Sequence, residues 1–232
     1  MNTRKFYPLL ILILIVGCGP ADDGFTDLFN GKSLDGWHSY GKDEINDGWY
    51  ADNGELIFDF QRDKSGENSN LVTDKQYTNY ELSIEWKIYP HGNSGIFWGV
   101  IESEEFEQPY MTGPEIQILD DGWEAYIEER GDINRAGSLY GLIPPSSIVS
   151  NPAEEWNHYL IHIDHKENEG FVVFNGTEVV RFPVHGPEWK AMIAKSGFAK
   201  WSSFGTAKTG HISLQEWGGK VAFRNIKIKE LP

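Results

Sequence analysis

Across 232 residues the chain has a single cysteine, Cys18, and few cations: 20 Lys and Arg stand against 35 Asp and Glu, a formal net charge of −15. A lone thiol excludes an internal disulfide framework, so the hydrophobic core must hold the fold by itself. The shortage of cations argues against nucleic acid as a partner, because backbone binding needs clustered Lys and Arg that release counterions. Neutral sugars remain compatible with that charge. The apolar run from Phe6 to Val16 covers roughly half a bilayer at about 1.5 Å per residue, so a retained transmembrane helix is a poor reading. There is no Gly-x-Ser-x-Gly elbow, no zinc-ligand spacing and no phosphate-cradling loop, which removes the usual serine-hydrolase, zinc and nucleotide signatures.

What is present begins at the N-terminus. Arg4 and Lys5 precede the apolar run and Gly17-Cys18 closes it, the charged and apolar regions of an export signal. Ile15-Val16-Gly17-Cys18 resembles the bacterial lipobox, with Ile where the pattern prefers Leu. That implies cleavage before Cys18 and lipidation of its thiol; the alternative is an ordinary secretory signal with a chance cysteine. The expected organisation is a signal peptide over 1–18, a linker over 19–24 and one domain over 25–232, since about 210 residues suits a single all-β unit. Ala21-Asp22-Asp23 resembles the acidic tag that sends some lipoproteins to the cell surface, with a plain solvated linker as the other reading. The expected address is the outer membrane, held by the lipid alone, facing the periplasm or the cell surface. Oligomeric state is open.

From Gly24 onward the dominant period is two, broken by turn residues about every ten positions. In Tyr80–Tyr89, Leu82, Ile84, Trp86 and Ile88 share one face while Glu81, Ser83, Glu85 and Lys87 share the other. Trp156–Asp164 alternates likewise, and Asn175-Gly176 between Phe171 and Phe182 predicts a tight primed hairpin turn. In Val221–Lys229 the apolar parity changes from Val221 and Phe223 to Ile226 and Ile228, which predicts a β-bulge near Arg224-Asn225. Helix is expected only over Pro187–Ala194 and Gly122–Glu129. The pattern predicts an all-β, antiparallel β-sandwich of jelly-roll style.

The segment Gly113-Pro-Glu-Ile-Gln-Ile-Leu-Asp120 carries the most chemistry. With Ile116 and Ile118 in the core, Glu115 and Gln117 must share the opposite face, with Asp120 at the strand's end. A carboxylate beside an amide makes a general base with a positioning partner; a solvent-facing polar edge is the bland alternative. Among nine tryptophans, Trp98, Trp123 and Trp217 sit near turns or polar segments and are the candidates to face a sugar, although most aromatics in a sandwich are core. His91 and His211 are candidates to titrate near neutral pH.

Six segments together, Leu28–Trp37, Gly92-Asn-Ser-Gly-Ile96, Gly113–Asp120, Gly137-Ser-Leu-Tyr140, Glu155-Trp-Asn157, and Gly210–Gln215 running into Phe223–Ile228, resemble the 3-keto-disaccharide hydrolase domain family. The resemblance spans the body in order and implies a concanavalin A-like jelly roll that cleaves glycosides oxidised to a ketone at carbon 3. It implies Glu115, Gln117 and Asp120 as the catalytic set. For binding a small carbohydrate it implies Asn93, Trp98, Tyr140, Lys195, Ser196, His211, Gln215, Trp217 and Arg224, with Arg224 and Asn225 equally suited to locking the bulge. Two departures stand out: Glu216-Trp217-Gly218 replaces the family's Asp-His-Gly, and Ser196-Gly197-Phe198 replaces Ser-Lys-Phe, with Lys195 one place earlier. Either Lys195 and His211 substitute, or the activity differs. A divalent cation would suit the enolate such chemistry forms, but no ligand spacing identifies a metal site. The alternative function is a non-catalytic carbohydrate-binding lipoprotein.

Overall fold

The computed structural model describes residues 23–64 and 69–232; the signal peptide, Cys18 and most of the expected linker lie outside the described residues. In chain order the strands are β1 (Thr26–Asp27), β2 (Trp37–Ser39), β3 (Trp49–Asp52), β4 (Glu55–Asp59), β5 (Leu71–Thr73), β6 (Tyr80–Ile88), β7 (Asn93–Val100), β8 (Glu115–Leu119), β9 (Asn157–Asp164), β10 (Glu169–Phe174), β11 (Thr177–Phe182), β12 (His211–Leu214) and β13 (Lys220–Glu230). Two short helices, α1 (Glu124–Arg130) and α2 (Gly186–Ala194), interrupt them. The strands form two antiparallel sheets, a larger one ordered β11-β10-β9-β6-β13-β4-β3 with β1 added on β13, and a smaller one ordered β2-β5-β12-β7-β8. The chain is an all-β sandwich.

Side-chain alternation explains the layering. On β6 the even residues are buried and the odd ones partly exposed, and Trp86 packs its ring 5.2 Å from Tyr159 and 5.7 Å from Phe174. The Asn175-Gly176 turn joins β10 to β11 with both residues at positive φ, 46° and 86°, the geometry that a primed turn requires. The register of β13 against β6 shifts between Arg224 and Lys227, and Asn225 takes a φ of 50°. This bulge turns Val221, Phe223, Ile226 and Ile228 all inward despite their change of parity.

Two expectations for binding residues are corrected here. Arg224 points to the outer face of the larger sheet, where its Nε donates to Glu85 Oε2 at 2.7 Å while Asn225 Nδ2 donates to Glu85 Oε1 at 2.7 Å. The pair anchors the bulge and does not bind a ligand in the smaller sheet. Trp98 is only 2% exposed. It shares the inward parity of Ile96 on β7, and its ring stacks on Phe182 at 6.2 Å and lies 5.9 Å from Trp189 of α2. It is a core residue.

Strand β8 is the last in the smaller sheet, yet its free edge is not open. Gln117 N donates to Ser138 O at 3.1 Å, Gly137 N to Gln117 O at 3.0 Å, and Tyr140 N to Glu115 O at 2.9 Å. The irregular segment 137–140 thus occupies the hydrogen-bonding groups that an edge strand would otherwise present.

Candidate active site

The site is assembled on the outer face of the smaller sheet. Ile116 and Ile118 are fully buried in the main core, so Glu115 and Gln117 project from the other side of β8. Residue pairing sets Phe97 opposite Glu115 and Gly95 opposite Gln117 on β7. The Glu115 carboxyl leans across Gly95 so closely that a Cβ there would fall 1.9 Å from Oε1. Glycine at position 95 is what leaves room for the carboxyl. Gln215, just past β12, donates its backbone N–H to Gly95 O at 2.8 Å, which brings a third strand's end to the same place.

These residues line a cavity of about 250 Å³, at the small end of ligand-pocket sizes. Its buried floor is Asn93, Glu115, Gln117 and Gln215. Tyr126, Arg130 and Tyr140 form a polar wall, and Tyr110, Phe198, Trp201 and Trp217 an aromatic rim. Four other hollows are larger, from about 370 to about 560 Å³, but none is lined by a buried carboxyl. The smallest of the five is the one that offers a buried carboxyl.

Electrostatics single out Glu115. The residue is 7% exposed, and burial in a place with no compensating charge pushes its carboxyl up from 4.5 to about 8. The Gln117 amide fits its surroundings best with its nitrogen turned to Ser94 O at 3.0 Å and Glu115 Oε1 at 3.1 Å. That orientation asks the Asn93 amide to turn as well, so that its oxygen accepts from Tyr126 OH across the 3.4 Å contact. Tyr126 in turn hydrogen-bonds Tyr140, whose hydroxyl is pushed well above its usual value by burial, by Tyr126 and by the negative charge of Glu115. Tyr140 therefore keeps its proton and donates it to Tyr126. Gln215 Oε1 is buried with no hydrogen-bond partner, while its side chain lines the cavity.

Of the residues singled out in the sequence, Asn93, Glu115, Gln117, Tyr140, Gln215 and Trp217 meet here. The others do not. Asp120 spends its oxygens on the backbone, Oδ2 accepting from His91 N at 2.9 Å and Oδ1 from Gly122 N at 2.9 Å, so it shapes the turn after β8. His91 stacks on Trp123 beyond that turn. Lys195 and Ser196 line a separate hollow beside Leu142 and Met192. Ser196 Oγ accepts from Phe198 N at 3.1 Å and so holds the turn that carries Phe198 to the rim. His211 lies at the far end of β12, with Nδ1 on Thr73 O at 2.6 Å and Nε2 on Gln76 at 2.9 Å. Neither Lys195 nor His211 therefore replaces the missing histidine in this cavity. Among the described residues, no three His, Cys, Asp or Glu side chains gather as a metal site.

Five cavity residues escaped the sequence reading: Tyr110, Tyr126, Arg130, Phe198 and Trp201. Tyr126 and Arg130 were within reach, because the expected helix near 122–129 makes positions four apart neighbours. The other three sit on irregular segments whose path no periodicity specifies.

Residues 24–229 match the 3-keto-alpha-glucoside-1,2-lyase-like domain family. A relative from Bacteroides thetaiotaomicron, named 3-keto-disaccharide hydrolase, is 31% identical over 91% of this chain and 80% of its own. The crystal structure of a candidate glycosyl hydrolase from Parabacteroides distasonis is 29% identical, with a TM-score of 0.81 over 90% of this chain and 95% of that one. A carbohydrate-binding module from Bacillus subtilis shares the fold at 10% identity, with a TM-score of 0.51 over 87% of this chain and 98% of the module.

Proposed function

The chain belongs to the 3-keto-alpha-glucoside-1,2-lyase-like domain family, and from that premise we propose that it cleaves glycosides carrying a ketone at carbon 3, with Glu115 as the base. The observation that supports this reading is a buried carboxyl with a raised affinity for protons on the floor of a cavity otherwise lined by uncharged donors, acceptors and aromatic rings, Arg130 excepted.

The ketone acidifies the hydrogen on carbon 2. Glu115 takes that proton, and the C–H electron pair forms a double bond between carbons 2 and 3 as the carbonyl pair moves onto oxygen 3. When the carbonyl reforms, the pair shifts to between carbons 1 and 2. The bond from carbon 1 to the leaving oxygen breaks with its electrons on that oxygen, which then takes up a proton. Water adding across the new double bond turns elimination into net hydrolysis. The enolate oxygen needs donors where charge develops; Arg130 is the cavity's cationic candidate, and Tyr140 serves once its hydroxyl turns from Tyr126 to the substrate. Gln117 orients Glu115, and Asn93 and Gln215 complete the polar floor on which the oxidised ring rests.

The test is incubation of purified protein with a 3-keto-glucoside bearing a chromogenic leaving group, monitored across pH. Only ionised Glu115 can act as base, so kcat/KM is expected to climb about tenfold per pH unit below about 8 and to level off above it. Sugar binding without release would sink the catalytic reading, and a pH profile flat from 6 to 9 would sink Glu115 as base.

The leader and Cys18 support export as a lipoprotein anchored in the outer membrane. Expressed in a bacterial host, the full chain is expected to incorporate labelled palmitate and to sediment with membranes. Cys18→Ala should do neither, and labelling of that variant would overturn the assignment.

A further inference from the structure

We propose that the leaving group this site accepts best is a planar, apolar aglycone that lies along an aromatic ladder from the cavity into the hollow beside α2. The inference rests on the glycoside-cleaving reading above and narrows its substrate class.

The ladder is continuous. Tyr110 and Trp201 rings lie 5.3 Å apart, Trp201 and Phe198 6.1 Å, and Phe198 stacks on Phe204 at 4.3 Å with planes 1° apart. Tyr110, Phe198 and Trp201 line the cavity above Glu115, while Trp201 and Phe204 line the neighbouring hollow of about 560 Å³. Trp201 belongs to both, so a group leaving the sugar ring over the rim meets the hollow next.

The hollow suits an aryl group better than a second sugar. Its side chains Ile193, Ala194, Ala199 and Phe204 offer no hydrogen bonds. Trp189 Nε1 already donates to Gly205 O at 2.7 Å, Thr206 Oγ1 to Ser203 O at 2.9 Å, and His185 Nε2 is engaged with His165 O at 3.0 Å. Lys190 and Ser202 are exposed. A second sugar would strand several hydroxyls against these walls, whereas an aromatic ring would be matched. The polar floor of Asn93, Gln117 and Gln215 is left for the oxidised ring that every substrate shares.

The experiment separates binding from leaving-group reactivity by using unoxidised glucosides as competitive inhibitors of 3-keto-glucoside cleavage. 2-Naphthyl glucoside is expected to inhibit at a concentration at least tenfold below that of a glucose disaccharide. Trp201→Ala should raise the naphthyl inhibition constant about tenfold more than it raises the disaccharide's. Ala199→Phe, which fills the hollow while keeping the ladder, should do the same and covers the case in which Trp201→Ala fails to fold. Equal inhibition by the two glucosides, or equal loss in both variants, would overturn the inference while leaving the proposed function standing. If neither a 3-keto-disaccharide nor a 3-keto-naphthyl glucoside is cleaved, the function falls and this inference with it.

Discussion

Glu115→Gln is expected to lower kcat/KM on a 3-keto-glycoside by about 10²- to 10⁴-fold, the usual contribution of a positioned general base. The substitution keeps the shape of the side chain and its contact with Gln117 while removing the ability to take a proton. It should also affect stability in a direction opposite to its effect on activity. The carboxyl of Glu115 stands at about 8 in the folded chain against an ordinary 4.5, so the folded state holds the proton more tightly than the unfolded state. Its contribution to stability is therefore fully present below about pH 4.5 and is lost as pH rises through 8, where an unpaired charge must be carried in a buried place. Glutamine does not ionise. At pH 9 the variant is expected to melt about 4 to 10 °C above the wild type, for a difference on the order of a few kcal/mol, and at about pH 4, below both values, the two should melt together. Calorimetry at both pH values checks the sign; a wild type more stable than the variant at pH 9 would mean that Glu115 is ionised and compensated by a partner.

Gly95→Ala is expected to lower kcat/KM by about 10²-fold without touching any ionisable group. The added methyl would meet Glu115 Oε1 at 1.9 Å, its Cδ at 2.7 Å and its Cγ at 2.8 Å. No such contact survives, so the carboxyl must swing away from Gly95 and from its contact with Gln117. A displacement of about 1 Å is enough for a loss of that size in a positioned catalytic group. Swung outward, the carboxyl also regains water, so the rise of kcat/KM with pH should move below 8. That shift distinguishes displacement from general damage to the strand. An unchanged rate would show that Glu115 acts from a position that Gly95 does not constrain.

The parts of this protein legible in its sequence are those governed by period-two alternation. Leu82 to Ile88 gave the buried face of β6, Asn175-Gly176 the hairpin, and the parity change between Phe223 and Ile226 the bulge of β13. The same rule placed Glu115 and Gln117 on one face, opposite Ile116 and Ile118. It failed where polarity served as a proxy for direction. Trp98 sits among glycines and a turn in sequence, but its parity is that of Ile96 and it faces the other sheet. Asp120 lies one residue beyond β8, and there the backbone amides of His91 and Gly122 claim both oxygens. The aromatic rim was invisible for a different reason. Tyr110, Phe198 and Trp201 ride on short turns, and what brings them together is the packing of loops distant in sequence.

The irregular segment alongside β8 ties the candidate site to the core of the sandwich. Residues 137–140 hold Glu115 and Gln117 by three backbone hydrogen bonds, in a stretch that is neither helix nor extended strand. Ser138 and Leu139 are nonetheless fully buried, and Leu139 belongs to the main core, so the stretch has the packing of the sheet interior and opens at a comparable cost. Tyr140 therefore leaves the cavity, and the edge of β8 is bared, only when the core around Leu139 comes apart. Loss of activity on heating is then expected to coincide with global melting, and to bring exposure of that edge at the same temperature.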